Sequence, residues 1–112
     1  MKPYNLIKLE ELAEGDKDFM AVMVETFLEE IPSDLEQMVA GVLDNDRAKA
    51  HEFAHKMKPS LDLFGSPARP VIYDIEVWGK KNLPGDMRDE MIQAQQQVEE
   101  TLQALRVDFP QA

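Results

Sequence analysis

Residues 51–65 read HEFAHKMKPSLDLFG. At about 100° per residue, Phe53, Ala54, Met57, Leu61 and Phe64, with Ala50 just before them, gather into one apolar stripe less than half a helix wide. That period predicts a core-facing helix, opened by Asp46 as N-cap, running to about Phe64 and stopped by Gly65. On the same wheel His55 falls on the far side. His51 lies one turn before it, Lys58 and Pro59 one turn after, and Asp62 two turns after, so His55 is expected to be exposed.

Helical periodicity continues on both sides. Phe19, Met23, Phe27 and Ile31 recur at spacings of four from a start near Gly15 or Asp16, widened by Met20, Val24 and Leu28. Pro32 interrupts the run, but Leu35, Met38, Val39, Val42 and Leu43 resume it at once, which predicts a kinked continuation of one helix. Asp44-Asn45-Asp46 reads as a turn. After Gly65, Ser66-Pro67 is expected to start the next helix, with Val71, Ile75 and Trp78 on one face. The stretch from Gly79 to Gly85 reads as a turn, and Asp86 as the cap of a final helix bearing Met87, Met91, Ala94, Val98, Leu102 and Leu105. A brief helix over Leu6–Ala13 precedes them all. Only VIY at 71–73 is β-prone, and its flanks favour helix. Short connections imply antiparallel neighbours, so the expected fold is all-α, an up-and-down four-helix bundle with a short extra N-terminal helix.

The chain has 112 residues, the commonest size for one domain, so a single domain over 1–112 is expected. Acidic side chains outnumber basic ones 22 to 12, giving a formal net charge of −10. That charge repels nucleic acid and anionic lipid and favours partners with a basic face. There is no cysteine, which excludes disulfides and thiolate metal or redox sites and fits a reducing compartment. MKPYNLIKLEEL has no signal-peptide core and no run is long enough to span a membrane. The expectation is a cytoplasmic monomer, and the initiating Met1 leans toward a free-standing protein.

The first five letters of 51–65 spell H-E-x-x-H. His51 and His55 stand at i and i+4, so their rings can converge on one cation, with Glu52 as a general base. A zinc hydrolase also needs a third ligand, for which Asp74 or Glu76 on the next helix could serve in principle, and a wall for its substrate. The metzincin continuation is absent, because Lys56-Met57-Lys58 follows instead.

Read from Ala54, the run AHKMKPSLDLFG resembles the phospho-acceptor segment of histidine phosphotransfer (HPt) domains, roughly A-H-x-L-K-G-S-x-x-x-x-G. His55 matches the phosphorylated histidine, Lys58 the basic residue three further on, Ser60 the small polar residue and Gly65 the closing glycine. Met57 takes the apolar position. An acidic helix carrying FLEEIPSDLEQM, an Asp-rich turn, the histidine helix and two further helices follow the family's order. Pro59 departs from the pattern, standing where the family has a glycine that leaves room beside the phosphoryl group. Proline also removes the N–H that would bond the carbonyl of His55 and tends to kink the helix.

The resemblance implies a phosphoryl carrier in a two-component relay, without kinase activity of its own. Its partners would be response-regulator receiver domains or a hybrid histidine kinase, and the receiver would supply Mg²⁺, leaving this chain no cofactor of its own. An imidazole nitrogen can attack an acyl phosphate, and Lys58, about one turn away, can pair with the phosphoryl oxygens. Lys56 projects further around the helix and is the weaker partner. His51 is read as a neighbour of the site, Ser60 as a hydroxyl that bonds back to the preceding turn or touches the phosphoryl group, and Pro59 and Leu63 as apolar docking contacts. A helical adaptor that binds without chemistry is the alternative, and a zinc hydrolase the third.

Overall fold

A computed structural model describes residues 2–112; Met1 lies outside them. The described residues form five helices and no strand: α1 Ile7–Ala13, α2 Lys17–Leu43, α3 Arg47–Leu63, α4 Arg69–Lys81 and α5 Arg88–Asp108. No helix is long and apolar enough to cross a membrane. α3 packs on α2 and on α4, α5 packs on α4 and on α2, and α1 lies against α2.

The stripes read from the sequence supply most of the buried residues, but Leu43 is exposed, and Phe19, Met20, Met23, Leu28, Val39 and Met87 are only partly buried. Val24, Phe27, Ile31, Leu35, Met38 and Val42 of α2 meet Ala50, Ala54, Met57, Leu61 and Phe64 from α3 and its C-cap. Ile72, Ile75 and Trp78 of α4 and Met91, Ala94, Val98, Leu102 and Leu105 of α5 complete one apolar cluster. Phe53 is only half-buried at the edge of its stripe. The rings of Phe27 and Phe64 meet at 4.2 Å, where burial of each such side chain stabilises by roughly 1.5–3 kcal/mol.

α2 runs without a break through Pro32, as α3 does through Pro59. Each proline costs its helix one backbone bond, but the buried residues on either side stay in phase, and packing of that face outweighs the loss. Asp16 and Asp46 cap α2 and α3, accepting from the N–H groups of Phe19 and Lys49 at 3.0 and 3.1 Å.

Three boundaries differ from expectation. α4 begins at Arg69, with Pro70 in its first turn. Ser66-Pro67-Ala68 form a turn instead, because the Ser66 hydroxyl is buried against Thr101 of α5 at 2.9 Å. α4 also runs through Gly79 to Lys81 before Asn82 ends it in the left-handed region. Asp86 lies one residue ahead of the N-cap of α5, which is Met87, and accepts from the Arg88 N–H at 3.0 Å.

Arg47 at the start of α3 joins these ends. Its guanidinium stacks 3.8 Å from the Trp78 ring centre and donates to the Leu83 carbonyl at 2.6 Å. A cation at a helix N-terminus is ordinarily unfavourable, and here the carbonyls at the end of α4 offset it. At the opposite end of α3, Gly65 adopts φ +60°. Its N–H and that of Ser66 bond back to Asp62 and Leu61 at 3.1 and 2.9 Å, the Schellman pattern that closes a helix. Asn5 packs so closely there that a Cβ on Gly65 would stand 2.6 Å from the Asn5 Cβ.

Candidate functional site

His55 stands near the middle of α3 with its side chain 65% exposed. The wheel placed it on the face away from the hydrophobic stripe, and that is where it lies. Its surroundings come from the neighbouring helix. Glu76 of α4 is buried, its side chain only 8% exposed, and its carboxylate reaches two residues of α3 at once. One oxygen lies 3.2 Å from Nδ1 of His55 and the other accepts from the Lys58 ammonium at 2.9 Å. Burial pushes the Glu76 carboxyl up, but the Lys58 ammonium and the His55 ring outweigh it and hold the group below the usual carboxylate range. An ionised carboxylate only accepts hydrogen bonds, so the proton on Nδ1 belongs to His55. In the neutral ring, Nε2 then carries the lone pair, on the side turned away from α4.

Lys58 is fixed by the same carboxylate and lies 5.1 Å from the centre of the Tyr73 ring. Its side chain is 24% exposed. One turn from His55, its ammonium sits on the α4 side of the imidazole, bonded to the carboxylate that also faces Nδ1. Lys56 is held elsewhere: it donates to Asp34 of α2 at 3.0 Å, and that hydrogen bond raises its pKa above the usual lysine value. Asp34 is itself buried, so Lys56 neutralises a carboxylate in the α2–α3 seam.

His51 lies one turn before His55. The rings stack with centroids 5.7 Å apart and planes 23° from parallel. Nδ1 of His51 lies 3.2 Å from the main-chain carbonyl of Glu76, and a carbonyl only accepts, so this ring too has its proton on Nδ1. The contact depends on Gly79. A Cβ there would stand 2.6 Å from the Arg47 carbonyl and 3.0 Å from the His51 backbone. Only a glycine lets α4 approach α3 so closely at this level, one turn beyond Glu76.

The remaining candidates are spread along α3. Pro59 is exposed one turn after His55, while Ser60 and Leu63 are half-buried. Gly65 is ten residues from His55, about 15 Å along the axis at 1.5 Å per residue. It belongs to the end that receives Asn5 and does not adjoin the imidazole. Asp74 is exposed, and the Glu76 carboxylate backs Nδ1 of His55, where it serves as a partner of the imidazole's proton.

Two of these contributors escaped the sequence reading. From the sequence alone Glu76 is no more than a possible third metal ligand, and Tyr73 carries no site signal. A signal for Glu76 existed. It stands at i+4 from Ile72 and next to Ile75, a carboxylate within an apolar stripe, and such a group requires a partner.

Comparison with protein-family models, with curated proteins and with solved structures finds no match for this chain.

Proposed function

We propose that this chain is a histidine phosphotransfer domain, built as an up-and-down four-helix bundle, that takes a phosphoryl group on His55 from a receiver-domain aspartate and passes it to another. The observation that supports the reading most directly is the pairing of an exposed His55 with the buried Glu76 carboxylate. That contact holds Nδ1 protonated and leaves Nε2 free as the nucleophile. In the transfer, Nε2 bonds to phosphorus as the acyl phosphate's P–O bond breaks and the aspartate leaves as a carboxylate. The imidazole retains its proton on Nδ1 and gains positive charge, which Glu76 offsets. Lys58, one turn away, turns from the shared carboxylate to pair with the phosphoryl oxygens.

Such transfer relies on positioning and charge neutralisation. The receiver brings the Mg²⁺ and the acidic residues that hold it. Its docking surface would be the exposed face around His55, where Tyr73 and Pro59 provide apolar contact. In this reading the protein is a cytoplasmic monomer and a carrier, without kinase activity of its own.

The test is direct. A phosphorylated receiver mixed with the protein and Mg²⁺ should yield an acid-labile, base-stable phosphohistidine, lost in His55→Gln and retained in His51→Gln. No labelling by any receiver of the same organism would overturn the proposal in favour of a helical adaptor that binds without chemistry.

A further inference from the structure

Phosphoryl transfer to His55 leaves one arrangement unused. His51 and His55 lie on one face of α3 at i and i+4, the spacing at which two imidazoles on a helix can share a metal ion. Spacing alone is common. Here the Nδ1 edges of both rings are anchored on one residue of α4, His51 on the Glu76 carbonyl and His55 on the Glu76 carboxylate, each at 3.2 Å. Both rings therefore carry their proton on Nδ1, and both lone pairs stand on the edges turned away from α4. A second group that orients a metal-binding imidazole and raises its basicity is the usual outer shell of such ligands. One open groove is lined by both rings together with Glu52.

We propose that His51 and His55 form a two-point chelate, through their Nε2 atoms, for a divalent transition-metal ion that prefers imidazole, such as Ni²⁺, Zn²⁺ or Cu²⁺. The ring centroids are 5.7 Å apart and the planes 23° from parallel. An ion about 2.0–2.1 Å from each nitrogen is reached when the two rings pivot toward one another about their anchored edges. His55 has room to do so, since its side chain is 65% exposed. Water completes the coordination. Mg²⁺, which prefers oxygen ligands, is not held, so the ion of the phosphotransfer reaction does not compete.

One consequence rests on the reading of His55 as a phospho-acceptor. An ion bound at Nε2 occupies the lone pair that attacks phosphorus, so metal and phosphoryl group exclude each other. The chain then accepts phosphate only while the ion is absent.

Binding is measured first without any receiver, on tag-free protein titrated with NiCl₂ and followed by calorimetry and by paramagnetic broadening of the histidine ring protons. The expected result is one ion per chain, with both rings broadening at the same half-saturation. His51→Gln and His55→Gln should each weaken binding by at least about tenfold, since loss of a ligand costs no less than the roughly 10–100-fold typical of an outer-shell partner. Broadening of one ring alone, or the same affinity in His51→Gln as in the unmodified chain, would overturn the chelate. Binding in a protein that no receiver can label would sink the relay while leaving the chelate intact. In the labelling reaction, Zn²⁺ should suppress labelling of the unmodified chain far more than that of His51→Gln, each compared with its own metal-free rate. Equal suppression would overturn the exclusion.

Discussion

Replacing Glu76 by alanine removes the carboxylate that orients His55 and leaves the main-chain carbonyl that bonds His51. Two charge-assisted contacts are lost, to Nδ1 of His55 at 3.2 Å and to Nζ of Lys58 at 2.9 Å. A hydrogen bond to a charged group contributes roughly 1.5–3 kcal/mol. Because the His55 side chain is 65% exposed, solvent screening places the imidazole's share at the low end, about 1.5 kcal/mol. At about 1.4 kcal/mol per decade, that is close to a tenfold loss in the rate of the proposed phosphoryl transfer. Fold stability should change less, since removing the buried carboxylate also removes the cost of its desolvation. Glu76→Gln should fall between the two: its amide oxygen can accept from Nδ1, but Lys58 loses a charged partner. Transfer is followed by rapid quench from a labelled receiver, and the ring nitrogen shifts of His55 report its tautomer by NMR. Glu76 acts through His55 as a positioning residue, so rate and tautomer should move together. Transfer within twofold of the unmodified rate in Glu76→Ala, with the proton still on Nδ1, would refute the reasoning.

Three further outcomes are expected. Gly79→Ala should lower the melting temperature: helix propensity favours alanine by about 1 kcal/mol, but the new Cβ meets the Arg47 carbonyl at 2.6 Å, and a rise in melting temperature would contradict that. Pro59→Gly should change the transfer rate with little loss of helicity by circular dichroism, because α3 already continues through the proline; unchanged kinetics with several receivers would count against crowding at that turn. The Asp108 carboxyl is held below its usual range by Lys2 and Tyr4. A depressed carboxylate contributes stability above its unfolded pKa, near 3.8, and loses it as pH falls through the lower folded value. The Lys2 and Tyr4 side chains should therefore loosen from Asp108 in acid before the helices melt. Tyr4 ring resonances report this, and Asp108→Asn should show the loosened signature already at pH 7.

Much of this architecture follows from one-dimensional patterns. A period of 3.6 residues fixes which face of a helix can be buried, so the stripe from Ala50 to Phe64 placed His55 outside before any neighbour was known. Asp16 and Asp46 cap their helices because a short carboxylate answers the free N–H groups of the next turn, a local interaction. Gly65 closes α3 for an equally local reason, its positive φ. The motif resemblance singles out Lys58 as well, though not the group that holds it.

Tertiary structure decided the rest, and the reason is the same at each place: the partner is distant in sequence. Glu76 stands 21 residues from His55 and 18 from Lys58, and no periodicity within α3 indicates which side chain of α4 will reach across. Lys56 and Asp34 are drawn together only by the α2–α3 seam, which turns a candidate phosphate contact into a structural ion pair. Gly79 reads as a turn because glycine is a poor helix former, and only the closeness of α4 to Arg47 and His51 makes it a helix residue. The sequence by itself determined that His55 faces outward. The packing of α4 on α3 decided which of its nitrogens is free.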